Sequence, residues 1–311
     1  MHKRLRIFKF KLILLKVKIN EIMHKKKYKV NVCILSSEKY KNKILEDIYL
    51  KYYLNKAGIG ATIVSYLENI DYSKYDYAII RSVWGIYDNI NLFKNVIENL
   101  EKNKVKVFNN YNIICNNLNK EKQYELLSKY KIKTIKTIFT DGYTNIDKIW
   151  NENFNEDKKI VVKPTMSESG NDTILVDKLS LKDIINKESK KRLMVEPFIE
   201  SVKNGEISII LFNNKIMYGV KRYSGVFYKY KNTEYIPISD INKKIIKSVN
   251  EIIKIDEYKE SLYTRIDFVY HDSEYLVMEI ELIDPMLFLT VVPKNENIYT
   301  KFISEIKKRF K

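Results

Sequence analysis

One stretch of the sequence, residues 263–285, constrains the fold more than any other. It contains two runs of alternating polar and apolar residues on either side of the turn-forming segment 271–273. Such alternation around a turn is typical of a β-hairpin, in which successive side chains point to opposite faces. One face of the predicted hairpin can pack into a core, because it carries Ile266, Phe268, Met278, Ile280 and Leu282.

The other face of the predicted hairpin is acidic. With the turn centred near Ser273, Asp267 lies opposite Glu279 and Arg265 lies opposite Glu281, and all four side chains share one face. Three carboxylates on adjacent strands repel one another unless a cation lies between them. Hard oxygen ligands of this kind suit Mg²⁺, with Mn²⁺ as a substitute. The pattern predicts a metal site, and a solvated acidic face is the alternative.

The composition limits the classes of function. The chain has 311 residues, of which 45% are hydrophobic, so it can form two or three packed units. The net charge of +17 is compatible with nucleic acid, an acidic membrane surface or anionic substrates. It is equally typical of a chain biased towards Lys, Asn, Ile and Tyr, and no nucleic-acid-binding motif accompanies it, so a nucleic-acid partner is not predicted.

Histidine and cysteine are scarce. Three histidines offer little material for a catalytic triad or a zinc site. The two cysteines, Cys33 and Cys115, have neither metal-binding nor redox spacing, which fits a reducing cytoplasm. Hydrolysis by a nucleophilic side chain is therefore disfavoured.

Residues 1–27 form a basic N-terminal extension. Within it, residues 1–22 have apolar residues at helical spacing among lysines and arginines, which predicts an amphipathic helix able to contact a membrane surface. The lysines at 16 and 18 interrupt the apolar run, so it is neither a secretory signal nor a membrane span. The alternative, which we favour, is that Met23 is the natural start.

Strands alternate with helices over residues 28–115, which predicts a parallel α/β domain. Arg81 directly follows a predicted strand, where open α/β sheets bind ligands. An arginine in that position can hold a carboxylate through two hydrogen bonds, although a structural pair with an acid is equally compatible with the pattern.

Two further segments carry residues suited to phosphate. Lys163 ends a predicted strand, and the loop that follows contains Ser169 and Gly170, which allow backbone amides to approach phosphate oxygens. Lys221 and Arg222 end another predicted strand and can face phosphate or substrate.

These segments, in this order, resemble the ATP-grasp ligases. The hairpin motif of Arg265, Asp267, Glu279 and Glu281, followed by Pro285, resembles the metal-binding end of that fold. The run from Glu281 to Pro285 and the Arg-Ser-x-Trp segment at Arg81 are similar to the O-ureido-D-serine cyclo-ligase branch, which gives Arg81 a substrate-binding role. The chain departs from that branch at residues 227–228, where Phe-Tyr replaces the usual Phe-Arg.

The resemblance implies a role for each matched residue. Asp267, Glu279 and Glu281 would hold the metal, and Arg265, with Lys221 and Arg222, would act in catalysis. The residues implied to bind ATP are Lys120 (with Lys122 as its rival), Lys163, Ser169, Gly170, Glu196 and Glu206.

The resemblance also implies the architecture. It predicts an ATP-grasp fold, in which the N-terminal α/β domain is followed by a first lobe over 116–195 and a second lobe over 196–311. The implied activity is ATP- and Mg²⁺-dependent activation of a carboxylate as an acyl phosphate, followed by attack of an amine from an amino acid or small peptide. Two alternatives stay open, namely intramolecular cyclo-ligation and a non-catalytic basic protein that binds nucleic acid or membrane.

Overall fold

The computed structural model describes residues 28–141, 146–154, 159–167, 172–177, 180–181, 183–184, 191–223 and 233–310. Within 146–154, the side chains are described from residue 148 onward. The predictions for the N-terminal extension and for residues 227–228 lie outside this part of the chain. None of the helices within it is long and apolar enough to cross a membrane.

The described residues form two compact units. The N-terminal unit contains the residues up to Tyr111 together with those from Asp284 onward, and the central unit is Asn112–Ile283. The central unit contains the residues expected for the first lobe and most of those expected for the second. Two segments differ from the predicted boundaries: residues 112–115 group with the central unit, and the C-terminal segment groups with the N-terminal unit.

The N-terminal unit is built on a parallel sheet of order β2-β1-β3-β4, as the alternation of strands and helices predicts. Its strands are β1 (Asn31–Ser36), β2 (Gly60–Ser65), β3 (Tyr77–Ile80) and β4 (Lys106–Phe108). Its helices are α1 (Leu45–Lys56), α2 (Ile90–Lys102) and, near the C-terminus, α7 (Ile298–Lys307).

Aromatic packing explains why the C-terminal segment belongs to the N-terminal unit. Tyr299 of α7 stacks on Tyr53 of α1, with ring centroids 5.0 Å apart. Phe310 packs against Tyr77 of β3 with a centroid distance of 4.5 Å. Contacts of this kind join segments far apart in sequence, so periodicity within either segment does not reveal them.

The central unit contains two antiparallel sheets. The first has the order β5-β8-β6-β7, and the second has the order β11-β10-β9-β12-β13. The strands of the first are β5 (Ile138–Thr140), β6 (Ile160–Pro164), β7 (Ile174–Val176) and β8 (Leu193–Pro197). Those of the second are β9 (Glu206–Phe212), β10 (Lys215–Arg222), β11 (Thr233–Ile236), β12 (Tyr263–His271) and β13 (Glu274–Glu281). The helices of the central unit are α3 (Tyr111–Asn117), α4 (Lys120–Lys129), α5 (Ile146–Asn153) and α6 (Lys243–Ile252).

Each sheet of the central unit covers its own core. Helix α6 packs its apolar residues, including Ile245 and Val249, with one face of the second sheet. Trp150 and Phe154 pack with the apolar residues of the first sheet. The second sheet therefore has a rigid apolar face, and its other face carries polar side chains.

The predicted hairpin is confirmed, including its register. Asp267 pairs with Glu279 and Arg265 pairs with Glu281 across β12 and β13. The two turn residues at 272 and 273 both have positive φ, as a tight hairpin turn with the twist of its strands requires.

A β-bulge next to Asp267 changes one detail of the predicted apolar face. After Asp267 the register shifts, so that Phe268 lies opposite Val277. Val277 therefore shares the core with Phe268, whereas Met278 packs in a separate cluster with Val269. The prediction for Met278 was wrong, because the bulge inserts one residue and reverses the alternation beyond it.

Candidate functional site

Three carboxylates lie together on the polar face of the second sheet. Asp267 belongs to β12, and Glu279 and Glu281 belong to β13. One oxygen atom from each side chain lies within 4.8 Å of the oxygens from the other two. The strands that carry them are fixed by the apolar core on the opposite face, so the cluster has a rigid support.

Asp267 is held by two arginines and a serine. Ser208 Oγ donates a 2.6 Å hydrogen bond to Oδ1, and Arg265 Nε donates one of 3.0 Å to the same oxygen. Arg222 Nη2 lies 2.9 Å from Oδ2. Burial acts to raise the pKa of Asp267, but the two guanidinium groups outweigh it and lower that pKa below its ordinary value. The Asp267 carboxylate therefore stays charged.

The pKa of Glu281 is shifted in the opposite direction from that of Asp267. Burial raises the pKa of Glu281 to about 7 despite its hydrogen bond from Arg265, and repulsion from Glu279 and Asp267 adds to the shift. The cluster thus favours additional positive charge. Three closely spaced carboxylate oxygens are the donor set that Mg²⁺ or Mn²⁺ prefers, so these residues fit a divalent metal.

Lys120 lies beside the carboxylate cluster. It is the first residue of α4, and its Nζ lies 3.1 Å from Glu279 Oε1 and donates a 2.5 Å hydrogen bond to the Ser167 carbonyl. Lys122, two residues further along the helix, is exposed. Of the two lysines that the sequence offered as a nucleotide ligand, the geometry supports Lys120.

Lys163 and Glu196 form a buried ion pair on the first sheet. Lys163 Nζ lies 2.9 Å from Glu196 Oε2, and the hydroxyls of Tyr124 and Thr137 donate hydrogen bonds to Oε1 at 3.1 and 3.0 Å. Burial acts to lower the pKa of Lys163, but Glu196 and Glu279 outweigh it and raise that pKa above its ordinary value. Lys163 is therefore a permanent positive charge held in a fixed place.

The structure separates the two basic residues at the end of β10. Arg222 faces the cluster, where its Nη2 lies 2.7 Å from Glu206 Oε2. Burial raises the pKa of Glu206 in spite of this arginine. Lys221 points to the opposite side of the strand, and its Nζ lies 4.9 Å from the ring centroid of Tyr223. Only Arg222 of this pair is brought to the carboxylates.

The comparison with known families decides the class of the protein. Residues 117–289, more than half of the chain, match the family model described as RimK-like ATP-grasp domain. The chain belongs to the RimK-like ATP-grasp family. Residues 32–109 match a second model, the N-terminal domain of the D-cycloserine synthetase DcsG. No curated protein sequence gives a significant match.

Solved structures with the same fold cover almost the whole chain. D-cycloserine synthetase DcsG is 15% identical with a TM-score of 0.76, over 89% of this chain and 99% of that one. D-alanine–D-alanine ligase from Bacillus anthracis complexed with ATP is 16% identical with a TM-score of 0.67, over 90% and 96%. The ATP-grasp ligase PsnB complexed with the precursor peptide PsnA2 and AMPPNP is 14% identical with a TM-score of 0.61, over 90% and 100%.

These findings confirm the predicted ATP-grasp fold with an N-terminal parallel α/β domain. They also confirm the predicted class of activity, an ATP- and Mg²⁺-dependent ligase that forms a carbon–nitrogen bond. The roles of the individual site residues stay predictions. The structure shows only which of these residues lie close together.

Arg81, the predicted substrate residue, lies in the N-terminal unit and is 3% exposed. Its Nη2 is 3.1 Å from Glu46 Oε2, its Nε is 3.2 Å from Asp47 Oδ1, and its Nη1 donates a 3.1 Å hydrogen bond to the Pro285 carbonyl. This arrangement favours the structural alternative, in which Arg81 pairs with acids of its own unit. A substrate-binding role for Arg81 stays a prediction.

Ser169 and Gly170, predicted to bind ATP phosphates, lie outside the described residues. Within the described residues, four polar residues around the carboxylate cluster were not among the predicted site residues. Ser208 follows Glu206 by two positions on β9, so strand alternation places both on one face and could have revealed it. The other three lie on or near helix α4, namely Asn117, Gln123 and Tyr124.

Proposed function

We propose that this ATP-grasp protein joins the carboxylate of an amino acid or small peptide to an amine, with ATP converted to ADP and phosphate. The observation that carries the proposal is the grouping of Asp267, Glu279 and Glu281 within 4.8 Å, beside Lys120 and two arginines. Buried arginines are not expected on a solvated acidic face, whereas they suit a site where phosphate charge is to be stabilised.

The lysines supply fixed positive charge for the nucleotide. The buried ion pair with Glu196 holds Lys163 in place, and Lys120 is fixed by Glu279 and the Ser167 carbonyl. Two ammonium groups that are already positioned lower the entropic cost of ordering the phosphates. The further candidates for nucleotide contact are Glu196, which is buried near the end of β8, and Glu206, which is partly buried at the start of β9.

Asp267, Glu279 and Glu281 would hold Mg²⁺. When bound, Mg²⁺ offsets the negative charge that builds up on phosphate oxygens during transfer. Arg265 is 4% exposed and lies on the same face as these carboxylates, so it is placed to stabilise an oxyanion on the acyl group when the amine attacks. The neighbouring strands hold this arginine rigidly through its bonds to Asp267 and Glu281.

Intramolecular cyclo-ligation is the second candidate. The observation that favours it is the match of residues 32–109 to the N-terminal domain of a D-cycloserine synthetase, in addition to the structural likeness. In that reaction the amine and the carboxylate belong to one substrate molecule. The same metal and phosphate residues serve both reactions, so the distinction lies in the substrate alone.

Thermal unfolding tests the ligase class. Mg-ADP should raise the melting temperature in proportion to ln(1 + [L]/Kd), because it binds only the folded state. A basic protein of the non-catalytic class should instead respond to polyanions such as heparin. Stabilisation by polyanions without any response to Mg-ADP would contradict the proposal.

Product analysis identifies the reaction. The protein is incubated with Mg-ATP and pools of amino acids or dipeptides, phosphate release is followed, and products are identified by mass spectrometry. A product formed by condensation of two added molecules supports intermolecular ligation, and a product lighter than O-ureido-serine that forms from this substrate alone supports cyclo-ligation. The free thiols of Cys33 and Cys115 are compatible with a reducing cytoplasm as the site of action.

A further inference from the structure

The metal-binding strand β13 lies at the edge of its sheet, yet its outer backbone groups are paired. In the order β11-β10-β9-β12-β13 only β12 pairs with it along its length. An edge strand normally leaves alternate N–H and C=O groups open to water or to another strand. Here side chains from α3 and α4 occupy that edge, together with a short bridge from the segment before β5.

Gln123 pairs with Ile280 as a strand residue would. Its Nε2 donates a 2.7 Å hydrogen bond to the Ile280 carbonyl, and its Oε1 accepts one of 2.8 Å from the Ile280 N–H. Asn117 extends the pattern, because its Nδ2 donates to the same carbonyl at 2.7 Å and its Oδ1 accepts from the Leu282 N–H at 3.0 Å. Both amides are buried, with Gln123 2% and Asn117 9% exposed.

Two further residues of α4 contact the same strand. Tyr124 Oη lies 3.0 Å from the Met278 carbonyl and shares its one proton between this oxygen and Glu196 Oε1, and Lys120 Nζ lies 3.1 Å from the side chain of Glu279. Lys120, Gln123 and Tyr124 are spaced three and four residues apart and so lie on one face of the helix. One helical face thus contacts three consecutive residues of the metal-binding strand.

The middle of β13, at Val277, is held by backbone hydrogen bonds alone. The Val277 N–H donates to the Lys133 carbonyl at 2.9 Å, and the Ile135 N–H donates to the Val277 carbonyl at 3.3 Å. The backbone groups held in this way are the N–H and C=O of Val277 and Ile280, the C=O of Met278 and the N–H of Leu282. The two carboxylates at 279 and 281 lie between these fixed points, with their side chains on the polar face of the sheet.

We propose that Gln123 and Asn117 are positioning residues, which hold the backbone of β13 so that Glu279 and Glu281 keep the separation that a divalent metal requires. This inference rests on the proposed function, since it assigns residues to the support of its metal site. A metal ligand that shifts by a fraction of an ångström loses affinity, and groups that orient ligands from behind typically account for about ten- to a hundredfold in metal affinity.

Mn²⁺ binding to the full chain in the presence of ADP, followed by electron paramagnetic resonance, tests the proposal. Gln123→Met keeps the length of the side chain without its amide, and Asn117→Leu keeps its branching. We expect each to weaken Mn²⁺ affinity at least about tenfold, and to alter the spectrum of the bound ion. Affinity for ADP without metal should change much less.

The matched control is Asn55→Leu. Asn55 Oδ1 accepts a 2.8 Å hydrogen bond from the Ala61 N–H in the N-terminal unit, and Asn55 is 8% exposed, so its loss removes a comparable buried amide–backbone contact. We expect it to lower the melting temperature to a similar degree and to leave Mn²⁺ affinity unchanged. Equal Mn²⁺ affinity in all three variants and the unaltered protein would overturn the proposal.

A further variant keeps the proposal testable if Gln123→Met or Asn117→Leu fails to fold. In its ionised form, the side chain of Gln123→Glu retains the acceptor for the Ile280 N–H but loses the donor to the Ile280 carbonyl, so it should still weaken Mn²⁺ binding if these hydrogen bonds position β13. Unchanged Mn²⁺ binding in a folded Gln123→Glu protein would also count against the proposal. An unaltered protein that binds no Mn²⁺ with ADP would contradict the proposed function itself, which separates the two failures.

Discussion

Nζ of Lys120 lies 3.1 Å from Oε1 of Glu279, and this contact joins the first turn of helix α4 to strand β13. The contact links two parts of the proposed chemistry, because the lysine would contact the nucleotide and the glutamate would hold the metal. A metal held by Glu279 would compete with Lys120 for this carboxylate. The lysine ammonium group would then be available to a phosphate. Substitutions on each side of this contact should therefore differ in their effects.

Replacing Glu279 by Gln should abolish ATP-dependent turnover while the fold survives. The change removes one charged metal ligand, and the loss of metal assistance to phosphoryl transfer lowers the rate on the order of a thousandfold or more. Turnover is measured by phosphate release. Glu274→Gln, at the start of the same strand and paired with surface lysines, is the control and should retain activity. Turnover of Glu279→Gln within about tenfold of the unaltered protein would remove Glu279 from the site.

Lys163 and Glu196 allow a test that separates stability from nucleotide binding. Lys163→Met leaves a buried carboxylate without its cation, which should cost about 3–5 kcal/mol of unfolding free energy. The double variant Lys163→Met/Glu196→Gln removes that unpaired charge and should recover much of the stability. Calorimetric titration with ATP should show weak binding in both. Normal ATP affinity in the stable double variant would show that Lys163 is only structural.

The hairpin shows how much of the site the sequence could predict. A turn centred near Ser273 predicts that Asp267 faces Glu279, and the structure has this pair because the bulge beside Asp267 compensates for a turn at residues 272 and 273. The bulge itself was not predictable, because inserting one residue leaves the local pattern of polar and apolar residues unchanged. Met278 was therefore placed on the wrong face.

Long-range polar contacts were beyond the reach of sequence patterns. Gln123 and Ile280 are 157 positions apart, and nothing in either segment indicates that an amide side chain pairs with that strand. The pair formed by Arg81 and Glu46 is similar, since the acid lies on α1 and the arginine follows β3. Family resemblance predicted the three carboxylates because they lie within one hairpin of the sequence, and it could not predict residues whose contacts depend on tertiary packing.

Arg265 and Asp267 should have separable roles, although they bond each other. Removing the Arg265 side chain would also remove the hydrogen bonds that hold Asp267. Arg265→Lys is the better change, because it keeps the positive charge but loses the planar guanidinium group with its paired donors. We expect Arg265→Lys to bind Mg-ATP nearly normally and to lose turnover, since the arginine meets charge that develops during the reaction. Asp267→Asn should weaken Mg-ATP binding as well. Titration of both variants, followed by phosphate release, distinguishes these outcomes, and identical behaviour of the two would contradict separate roles.

The buried Glu46 predicts how the stability of the N-terminal unit depends on pH. Burial raises the pKa of Glu46 from about 4.5 to about 7, although Arg81 lies against it. The folded state therefore binds a proton that the unfolded state has already released between these two values. By linkage, the free energy of unfolding falls as pH rises through this window, by up to about 3 kcal/mol from this group.

Glu46→Gln removes that titration and should flatten the decline in stability between pH 5 and pH 8. The variant is compared with the unaltered side chain in a Trp150→Phe background, where Trp84 is the only tryptophan and reports on the N-terminal unit. Urea unfolding is followed by its fluorescence at both pH values. Asp47 still pairs with Arg81 in the variant, so the unit should remain folded. If the two proteins lose stability equally between pH 5 and pH 8, Glu46 does not change its protonation state in this range on folding, which would contradict the raised pKa.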